Sequence, residues 1–241
     1  MAFIMPGLGQ VYNGELIKGI SIIMILLALS VTGIFATVFL PDSLLIYGAL
    51  ATVLVSAALY IAAIVDAFKH ASMADAAFQP KSYNRWYFYL ALWLIGNIFG
   101  SFTTDYVTEH YVEAYKIPTV AMEPSVLKGD HVLADKTAYN RMAPKKGDVV
   151  IFVYPNDRSK RYIKRIDALP GETVTYIDGA QKQVPHGYAY MVGDNRENSL
   201  DSRHFGFVPL SDIVAKVRQV YYSSGEDGIR WGRIGATVNS S

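Results

Sequence analysis

The sequence predicts a membrane-anchored α+β protein, in which three N-terminal transmembrane helices precede a mostly antiparallel β domain outside the cytoplasm. Two observations carry this prediction. Long uncharged apolar runs dominate the chain up to residue 104, and charged residues become frequent from Asp105 onward. After residue 117 the apolar runs are short, β-branched and aromatic, with turn-forming residues between them. This succession is typical of a membrane region followed by a β domain.

Composition narrows the possible functions. The chain has 241 residues and a net charge of +1, so no global charge attracts nucleic acid. It contains no cysteine, which excludes disulfides, thiolate catalysis and cysteine metal sites. Neither a Walker nor a Rossmann glycine loop is present, and none of the five histidines has metal-ligand spacing. We therefore expect no cofactor, no metal and no nucleic-acid partner.

Three apolar runs are long enough to cross a bilayer. They lie near residues 20–40, 44–65 and 86–104 and carry no charged side chain. A helix of about 20 apolar residues spans the hydrocarbon core. Buried helices of a soluble protein usually carry polar residues on one face, so these runs favour membrane helices and make the lipid bilayer an expected partner.

The distribution of basic residues predicts the orientation of the spans. The turn at 41–43 carries one acidic residue and no basic one. The loop at 67–85 holds three basic residues, namely Lys69, Lys81 and Arg85. Because Lys and Arg favour the cytoplasmic side, the N-terminus and this loop should be cytoplasmic and the chain after Asp105 should lie outside.

Two further segments flank the spans. Residues 5–14 are rich in turn formers and resemble a short Pro-Gly-Leu-Gly-Gln motif that precedes helical hairpins in some small membrane proteins. We expect an interfacial turn there that sets the first helix. Residues 105–116 are expected to form a juxtamembrane linker, whose tyrosines can lie at the outer membrane surface.

The sequence from 117 to 241 predicts one β domain. Turn-forming residues, many of them glycines, separate short β-branched and aromatic runs. The predicted strands lie at 131–134, 148–154, 173–177 and 188–192. Many short strands with regular turns indicate an antiparallel β domain.

Polar residues concentrate in three segments of this domain, at 117–125, 161–172 and 193–203. Together with Gly147–Val150, these segments resemble the ordered motif boxes of the type I signal peptidases (leader peptidases). The resemblance covers residues 117–217. It implies a catalytic domain that cuts signal peptides from exported preproteins at the outer face of the cytoplasmic (inner) membrane.

One position departs from the family pattern. In the family, the serine immediately before Met-x-Pro attacks the peptide carbonyl, whereas here Ala121 precedes Met122-Glu123-Pro124. An alanine methyl cannot act as a nucleophile. Two origins remain open: a serine-to-alanine change made to hold substrate or stop self-cleavage, and a natural relative that does not cut. Ser125 is a conceivable substitute nucleophile, but we favour its interpretation as a turn hydroxyl.

The resemblance assigns roles to other polar residues. Lys164 matches the general base of a Ser/Lys dyad, Ser199 the hydroxyl that orients this base, and Thr119 an oxyanion-hole hydroxyl. Lysine is a base only when neutral, and lowering its pKa from about 10.4 to about 8 requires roughly 3 kcal/mol of differential destabilisation by burial. Three charged residues match supporting positions: Arg165, Asp201 and Arg203.

The resemblance also implies the substrate. Family members prefer small residues at the first and third positions before the cut, commonly Ala-x-Ala. By position, five residues would line shallow apolar pockets: Ile117, Met122, Val126, Tyr162 and Ile163. The strands holding Thr119 and Arg161 would offer backbone edges to an extended signal peptide.

The sequence therefore predicts a membrane-bound serine endopeptidase with a Ser/Lys dyad, inactive as written because Ala121 occupies the nucleophile position. The alternative is a non-catalytic membrane protein that binds signal peptides and descends from such an enzyme. Intact Lys164 and Ser199 favour the enzyme, because a long-abandoned site has no chemical need for them.

Overall fold

A computed structural model describes residues 3–72, 79, 81–177 and 179–238, except for the side chains at 37 and 38. The chain divides into two compact units. The first, the helical unit, comprises Met1–Leu40 and Ile46–Val107. The second, the β unit, comprises Pro41–Leu45 and Thr108–Ser241, so the turn between the first two long helices belongs to it.

Among the described residues of the N-terminal part there are four α-helices: α1 (Leu8–Tyr12), α2 (Leu16–Phe39), α3 (Leu45–Ser72) and α4 (Trp86–His110). Two stretches are long and apolar enough to cross a membrane, Leu16–Ala36 and Asp42–Ser72. Helix α4 contains the third predicted span, but its Trp, Tyr and Asn residues make it less apolar than the other two. The third span therefore stays a prediction.

The long helices keep apolar side chains on their outside. Met24 of α2, Val53 of α3 and Ile98 of α4 are each about 60% exposed or more. Soluble proteins rarely expose contiguous apolar surface of this extent, which favours an apolar environment around these helices.

The glycine-rich N-terminal motif packs backbone against backbone on α2. Gly7 has a positive φ of 96°, and a Cβ there would lie 2.4 Å from the carbonyl oxygen of Gly19. Only glycine fits both the conformation and the distance. The short helix α1 follows the expected turn, and its Leu8 and Val11 are buried against Ile23 of α2.

A polar cluster lies beside this packing. The amide of Gln10, fully buried, donates to the Ala63 carbonyl at 2.7 Å and to Asp66 at 2.9 Å. One ligand atom from each of Glu15, Asp66 and His70 lies within 4.8 Å of the others. Sequence spacing did not indicate this grouping, because Glu15 is distant from α3 along the chain. The Lys18 ammonium already pairs with Asp66 at 2.7 Å and supplies a cation there.

The described residues after α4 form ten strands, and the pairing of these strands is antiparallel throughout. They are β1 (Val112–Lys116), β2 (Asp130–Asp135), β3 (Val149–Val153), β4 (Arg161–Ala168), β5 (Thr173–Thr175), β6 (Gln181–Gln183), β7 (Tyr188–Val192), β8 (Val208–Pro209), β9 (Ile213–Gly225) and β10 (Gly228–Ile229). The main sheet has the order β1-β2-β9-β3-β4-β7-β8, with β10 on β9, while β5 and β6 form a separate hairpin. The prediction of a mostly antiparallel β domain is confirmed.

Strand β3, in the middle of the main sheet, is buried on both faces. In β3, Val149 and Ile151 enter one apolar cluster, and Val150 and Phe152 enter another on the opposite face. Alternate residues of a strand point to opposite faces, so the uninterrupted apolar run of β3 serves both clusters. The site described below lies where β4 meets the loops that follow β1 and β7.

The prediction of a linker at 105–116 is wrong. Helix α4 continues to His110, and Val112–Lys116 forms β1, which pairs with β2 along its whole length. No proline or glycine interrupts this stretch, so nothing in it ends the helix early or prevents the strand. The β domain accordingly begins before residue 117.

Candidate active site

Residue 121 lies in a closed loop between β1 and β2. The Ile117 amide donates to the Asp130 carbonyl at 2.8 Å, and the Gly129 amide donates to the Ile117 carbonyl at 2.9 Å, which joins the two ends of the loop. Met122 and Val126 are fully buried and anchor the loop in the core. Ala121 is therefore held in place and only 6% exposed.

Gly193, which follows β7, brings Ala121 and Ser199 together. A Cβ on Gly193 would lie 2.1 Å from the Ser199 Oγ and 2.5 Å from the Ala121 carbonyl oxygen. The amide of Asn195 donates to the same carbonyl at 3.2 Å. Any side chain at 193 would separate the two segments, so this glycine is required by close approach.

Lys164, in the middle of β4, is 5% exposed. Burial lowers its pKa to about 8, although the negative charges of Asp201 and Asp194 raise it in part. Its Nζ lies 5.6 Å from the centroid of the Tyr162 ring, and it makes no ion pair within the described part of the chain. An amine with such a pKa is substantially neutral in mildly alkaline solution and can accept a proton.

Ser199 carries a buried hydroxyl that lacks a hydrogen-bond partner among the described residues. It is close enough to Asp201 to contribute to lowering the pKa of that carboxyl, but the contact falls short of hydrogen-bond geometry. Buried polar atoms without partners are uncommon in native proteins. The Ser199 Oγ is therefore available to a neighbouring amine or a bound peptide.

Arg165 ties three segments of the site together. It forms a two-pronged ion pair with Asp194, at 2.8 Å and 2.7 Å. It also donates to the Gly147 carbonyl at 2.7 Å and to the Ser125 Oγ at 3.1 Å. Ser125 is thus engaged in this structural contact, which supports its interpretation as a turn hydroxyl.

Asp201 and Arg203 fix the segment that follows β7. The Asp201 carboxylate, fully buried, accepts from the Gly193 amide at 3.0 Å and from the Arg203 guanidinium at 2.8 Å and 2.9 Å. Burial alone would raise the pKa of Asp201, but these hydrogen bonds outweigh it and hold the pKa below its usual range. Both residues position Gly193 beside Ala121.

The sequence profile of the family described as "Signal peptidase, peptidase S26" matches residues 93–181 and 177–222. This chain belongs to the signal peptidase family.

Individual relatives agree with this assignment. Signal peptidase I of Aquifex aeolicus is 26% identical over 201 residues, which cover 49% of this chain and 78% of the relative. Probable signal peptidase I-1 of Synechocystis is 31% identical over 149 residues, or 50% of this chain and 74% of the relative. A crystal structure of signal peptidase I from Enterococcus faecalis is 27% identical, with a TM-score of 0.27, and covers 31% of this chain and 97% of its own.

In this member of the family, the five residues expected to line substrate pockets lie on two faces of the sheet. Ile117, Met122 and Val126 share one buried cluster, and Ile163 packs against it. Tyr162 points to the opposite face, where it stacks on Tyr154 with ring centroids 4.5 Å apart. Thr119 is exposed at the surface of the loop.

Sequence reasoning did not single out Gly193 and Asp194, although both stand at the start of the third polar segment. Gly193 makes the closest contacts between the segments, and Asp194 supplies the carboxylate for Arg165. An adjacent Gly-Asp pair at the end of an apolar strand is a signal that could have identified them, because it marks a close backbone approach beside a charged partner.

Proposed function

We propose that this chain is a membrane-bound signal peptidase of the Ser/Lys type whose catalytic machinery is complete except at the nucleophile, where Ala121 stands in place of serine. The observation that carries the proposal is the buried Lys164 amine, with a pKa near 8, which is near enough to Asp194 and Asp201 for their charges to act on it. Gly193, next to Asp194 in the chain, packs against both Ala121 and Ser199. Family membership supports signal-peptide removal as the reaction.

The site suits acyl transfer with a serine at 121. The serine hydroxyl would attack the peptide carbonyl while neutral Lys164 takes its proton, and Ser199 would hold the amine through its free hydroxyl. Protonated Lys164 would then give the proton to the departing amine. The amide of residue 121 and the hydroxyl of Thr119 would stabilise the oxyanion. Water would hydrolyse the acyl-enzyme. The methyl of Ala121 removes the first step and leaves the other groups in position.

The helices supply the proposed membrane anchor. Helices α2 and α3 are long and apolar enough to span, and we assign the third span to the apolar part of α4. The turn Pro41–Leu45 and the β domain belong to the same compact unit, which favours their being on one side of the membrane. With the basic loop at 67–85 in the cytoplasm, that side is the outside.

The substrate we propose is an extended signal peptide that ends in Ala-x-Ala. We assign the pocket for the residue before the cut to Ile163, which is partly buried against the core cluster that contains Ile117. Met122 supports this pocket from within the core, and the branched side chain of Ile163 favours a small residue before the cut. A non-catalytic binding protein remains the second candidate. A buried, unpaired lysine destabilises the fold, and a protein that only binds peptide has no need for it.

Peptide binding by the unaltered chain tests the proposal. In detergent, the chain should bind a labelled peptide ending in Ala-x-Ala, and the peptide should remain uncut because residue 121 cannot attack. Replacing the final Ala of the peptide by Trp should abolish binding, because the pocket is shallow. Equal affinity for the Ala and Trp peptides, or no binding of either, would sink the proposal.

A further inference from the structure

An ion pair holds the turn between α2 and α3 on the β sheet. Asp42 opens the short 3₁₀ helix Asp42–Leu44 in this turn, and its carboxylate accepts a hydrogen bond from the Nε of Arg218 at 2.5 Å. Arg218 lies in β9, 176 residues further along the chain. The turn Pro41–Leu45 and β9 belong to the same compact unit. We call Asp42 and Arg218 the hairpin clamp, because it ties the turn of a helical hairpin to a strand of the sheet.

Burial makes Asp42 necessary to Arg218, which is only 8% exposed. A second carboxylate, that of Asp135, is 4.0 Å from the guanidinium. Asp135 already pairs with Arg141 and accepts hydrogen bonds from Thr137. Asp42 is thus the closer of the two carboxylates that pair with Arg218 in the described structure. A buried charge that loses its partner destabilises a fold strongly, so the turn of the hairpin completes the β unit.

The end of α4 is attached at a neighbouring point of the β unit. Lys136 follows Asp135 in the chain. Its Nζ donates to the carbonyls of Thr108 at 3.1 Å and Glu109 at 2.8 Å, in the last turn of α4. A lysine in this position stabilises the unpaired carbonyls at the end of a helix. The β unit is therefore tied to the chain of the long helices at two neighbouring places, the end of α4 and the turn that carries Asp42. A body held at two points turns less freely than a body held at one.

Hydrogen-bonded strands connect the hairpin clamp to Lys164. Val150 of β3 pairs with Lys164 of β4 on one side and with Lys216 of β9 on the other. Arg218 is two residues beyond Lys216. At about 4.8 Å between strands and about 3.3 Å per residue along a strand, the backbones of Arg218 and Lys164 are roughly 12 Å apart. The sheet between them is continuous, so a fixed position of the turn fixes the position of Lys164.

We propose that the hairpin clamp holds the candidate site at a fixed distance from the membrane, which makes Asp42 and Arg218 positioning residues for cleavage. The inference rests on the proposed function, since it takes α2 and α3 as spans and a membrane-inserted precursor as substrate. A signal peptide carries an apolar segment of about 7–15 residues, which lies in the bilayer, and an extended segment leads from it to the cut. With the site held at one height, only an extended segment of matching length brings the scissile carbonyl to Lys164.

The test is cleavage by the full Ala121→Ser chain in lipid nanodiscs, with precursors that differ only in the number of residues between the apolar segment and the Ala-x-Ala end. Inserting about four residues adds roughly 13 Å of extended chain. This insertion should lower kcat/KM at least about tenfold, because misplacing the reacting groups by about 1 Å can already cost about 100-fold. Adding Arg218→Met removes the clamp without leaving a buried charge, and the insertion loss should then fall to within about threefold.

Further comparisons separate positioning from folding. Asp42→Asn should behave as Arg218→Met, and Asp42→Glu, which keeps the carboxylate, should show the full insertion loss. Asp227→Asn is the matched control and should also show the full loss, because it removes an exposed acid in the turn between β9 and β10, outside the clamp. A short soluble Ala-x-Ala peptide without an apolar segment should be cleaved to within about twofold by all these chains, because the clamp does not touch the reacting groups.

Two cleavage results would overturn the positioning role: equal cleavage of the two precursors by Ala121→Ser, or an undiminished insertion loss in both Arg218→Met and Asp42→Asn. Equal losses for the precursors and the short peptide would also overturn it, because they indicate a contact that serves folding alone.

The contact itself can be measured without cleavage. A spin label on Ser43→Cys, at an exposed position of the turn in the otherwise unaltered chain, should become more mobile when Arg218→Met is added. Unchanged mobility would show that the clamp does not hold the turn. Failure of Ala121→Ser to cleave any precursor or the short peptide, together with increased label mobility in Arg218→Met, would refute the proposed function and the positioning role that rests on it, and would leave the contact confirmed.

Discussion

At the scale of single residues, the site is organised around one buried amine. Lys164 lies in the middle of β4 with little exposure and without a carboxylate in ion-pair contact among the described residues. Protonated, it is a charge in a poorly solvated position, which is why its pKa falls to about 8. The burial that would prepare Lys164 as the base of the proposed mechanism therefore also destabilises the protein.

Lys164→Met should raise the free energy of unfolding at pH 7. The pKa of Lys164 is lower in the folded chain than in the unfolded chain, so between about 8 and 10.4 the unfolded state binds more protons and stability rises with pH. Below pH 8 the full penalty, on the order of 3 kcal/mol, applies to the native lysine and is absent in the variant. The advantage of Lys164→Met should shrink through this window and vanish above it.

Chemical unfolding of the full chain in detergent at pH 7 and pH 10.5 measures this effect. Lys128→Met, at an exposed position on the loop before β2, is the control and should show no comparable pH trend. If Lys164→Met instead lowered the free energy of unfolding at pH 7, the ammonium would have a favourable partner in the folded chain. Lys164 would then not be poised to act as a base.

At the scale of elements, side-chain contacts hold β4 against the segment after β7. Arg165 of β4 meets Asp194 through two hydrogen bonds, and both side chains are largely removed from solvent. Paired forks of this kind fix geometry as well as add energy. They keep Gly193 against Ala121. The amine of Lys164, next to Arg165 in β4, is near enough to Asp194 and Asp201 for their charges to raise its pKa in part.

Asp194→Asn should destabilise the chain by roughly 2 kcal/mol, because it leaves the partly buried Arg165 guanidinium without its counter-charge. Asp167→Asn is the comparison, since it disrupts an exposed pair with Arg196 at 3.1 Å and should cost less than about 1 kcal/mol. Denaturant unfolding of both variants gives the two values. Equal losses would indicate that the fork has no special role in joining β4 to this segment.

The strands themselves could be predicted because their residues are locally distinctive. The run in β3 is β-branched and aromatic, and Gly147 before it has a positive φ of 91° that marks the turn. The order of strands could not be predicted, since β9 lies between β2 and β3 although it comes last among the long strands. Such pairing depends on contacts between distant residues, which local propensity does not encode.

At the scale of the whole molecule, the chain consists of a helical unit and a β unit, and their opposite compositions could be seen in the sequence. The apolar runs predicted the helices. The linker predicted at 105–116 was wrong, because helix α4 ends and strand β1 follows there with no proline or glycine to mark the change. The site residues 121, 164 and 199 came from motif order. The approach of residues 121 and 199 at Gly193 could not be predicted, because it depends on the tertiary contact of two loops.

Single-cysteine labelling tests the proposed orientation, and the absence of native cysteine makes each label unique. Ser82→Cys, in the basic loop, should react with membrane-impermeant maleimide only after the cytoplasmic side is opened. Glu226→Cys, exposed in the turn between β9 and β10, should react from outside in intact cells. Reversed labelling would remove the case for an enzyme that acts on exported proteins.

The most direct test of the central claim is cleavage of an Ala-x-Ala precursor by Ala121→Ser. Loss of a serine nucleophile costs roughly 10⁶ in turnover in another serine protease, so this change should raise cleavage by several orders of magnitude over the unaltered chain. The activity should rise with pH through about 8 as Lys164 becomes neutral, and Ala121→Ser combined with Lys164→Met should lose it. A folded Ala121→Ser chain that binds the precursor in detergent but cleaves it at no pH would contradict the account.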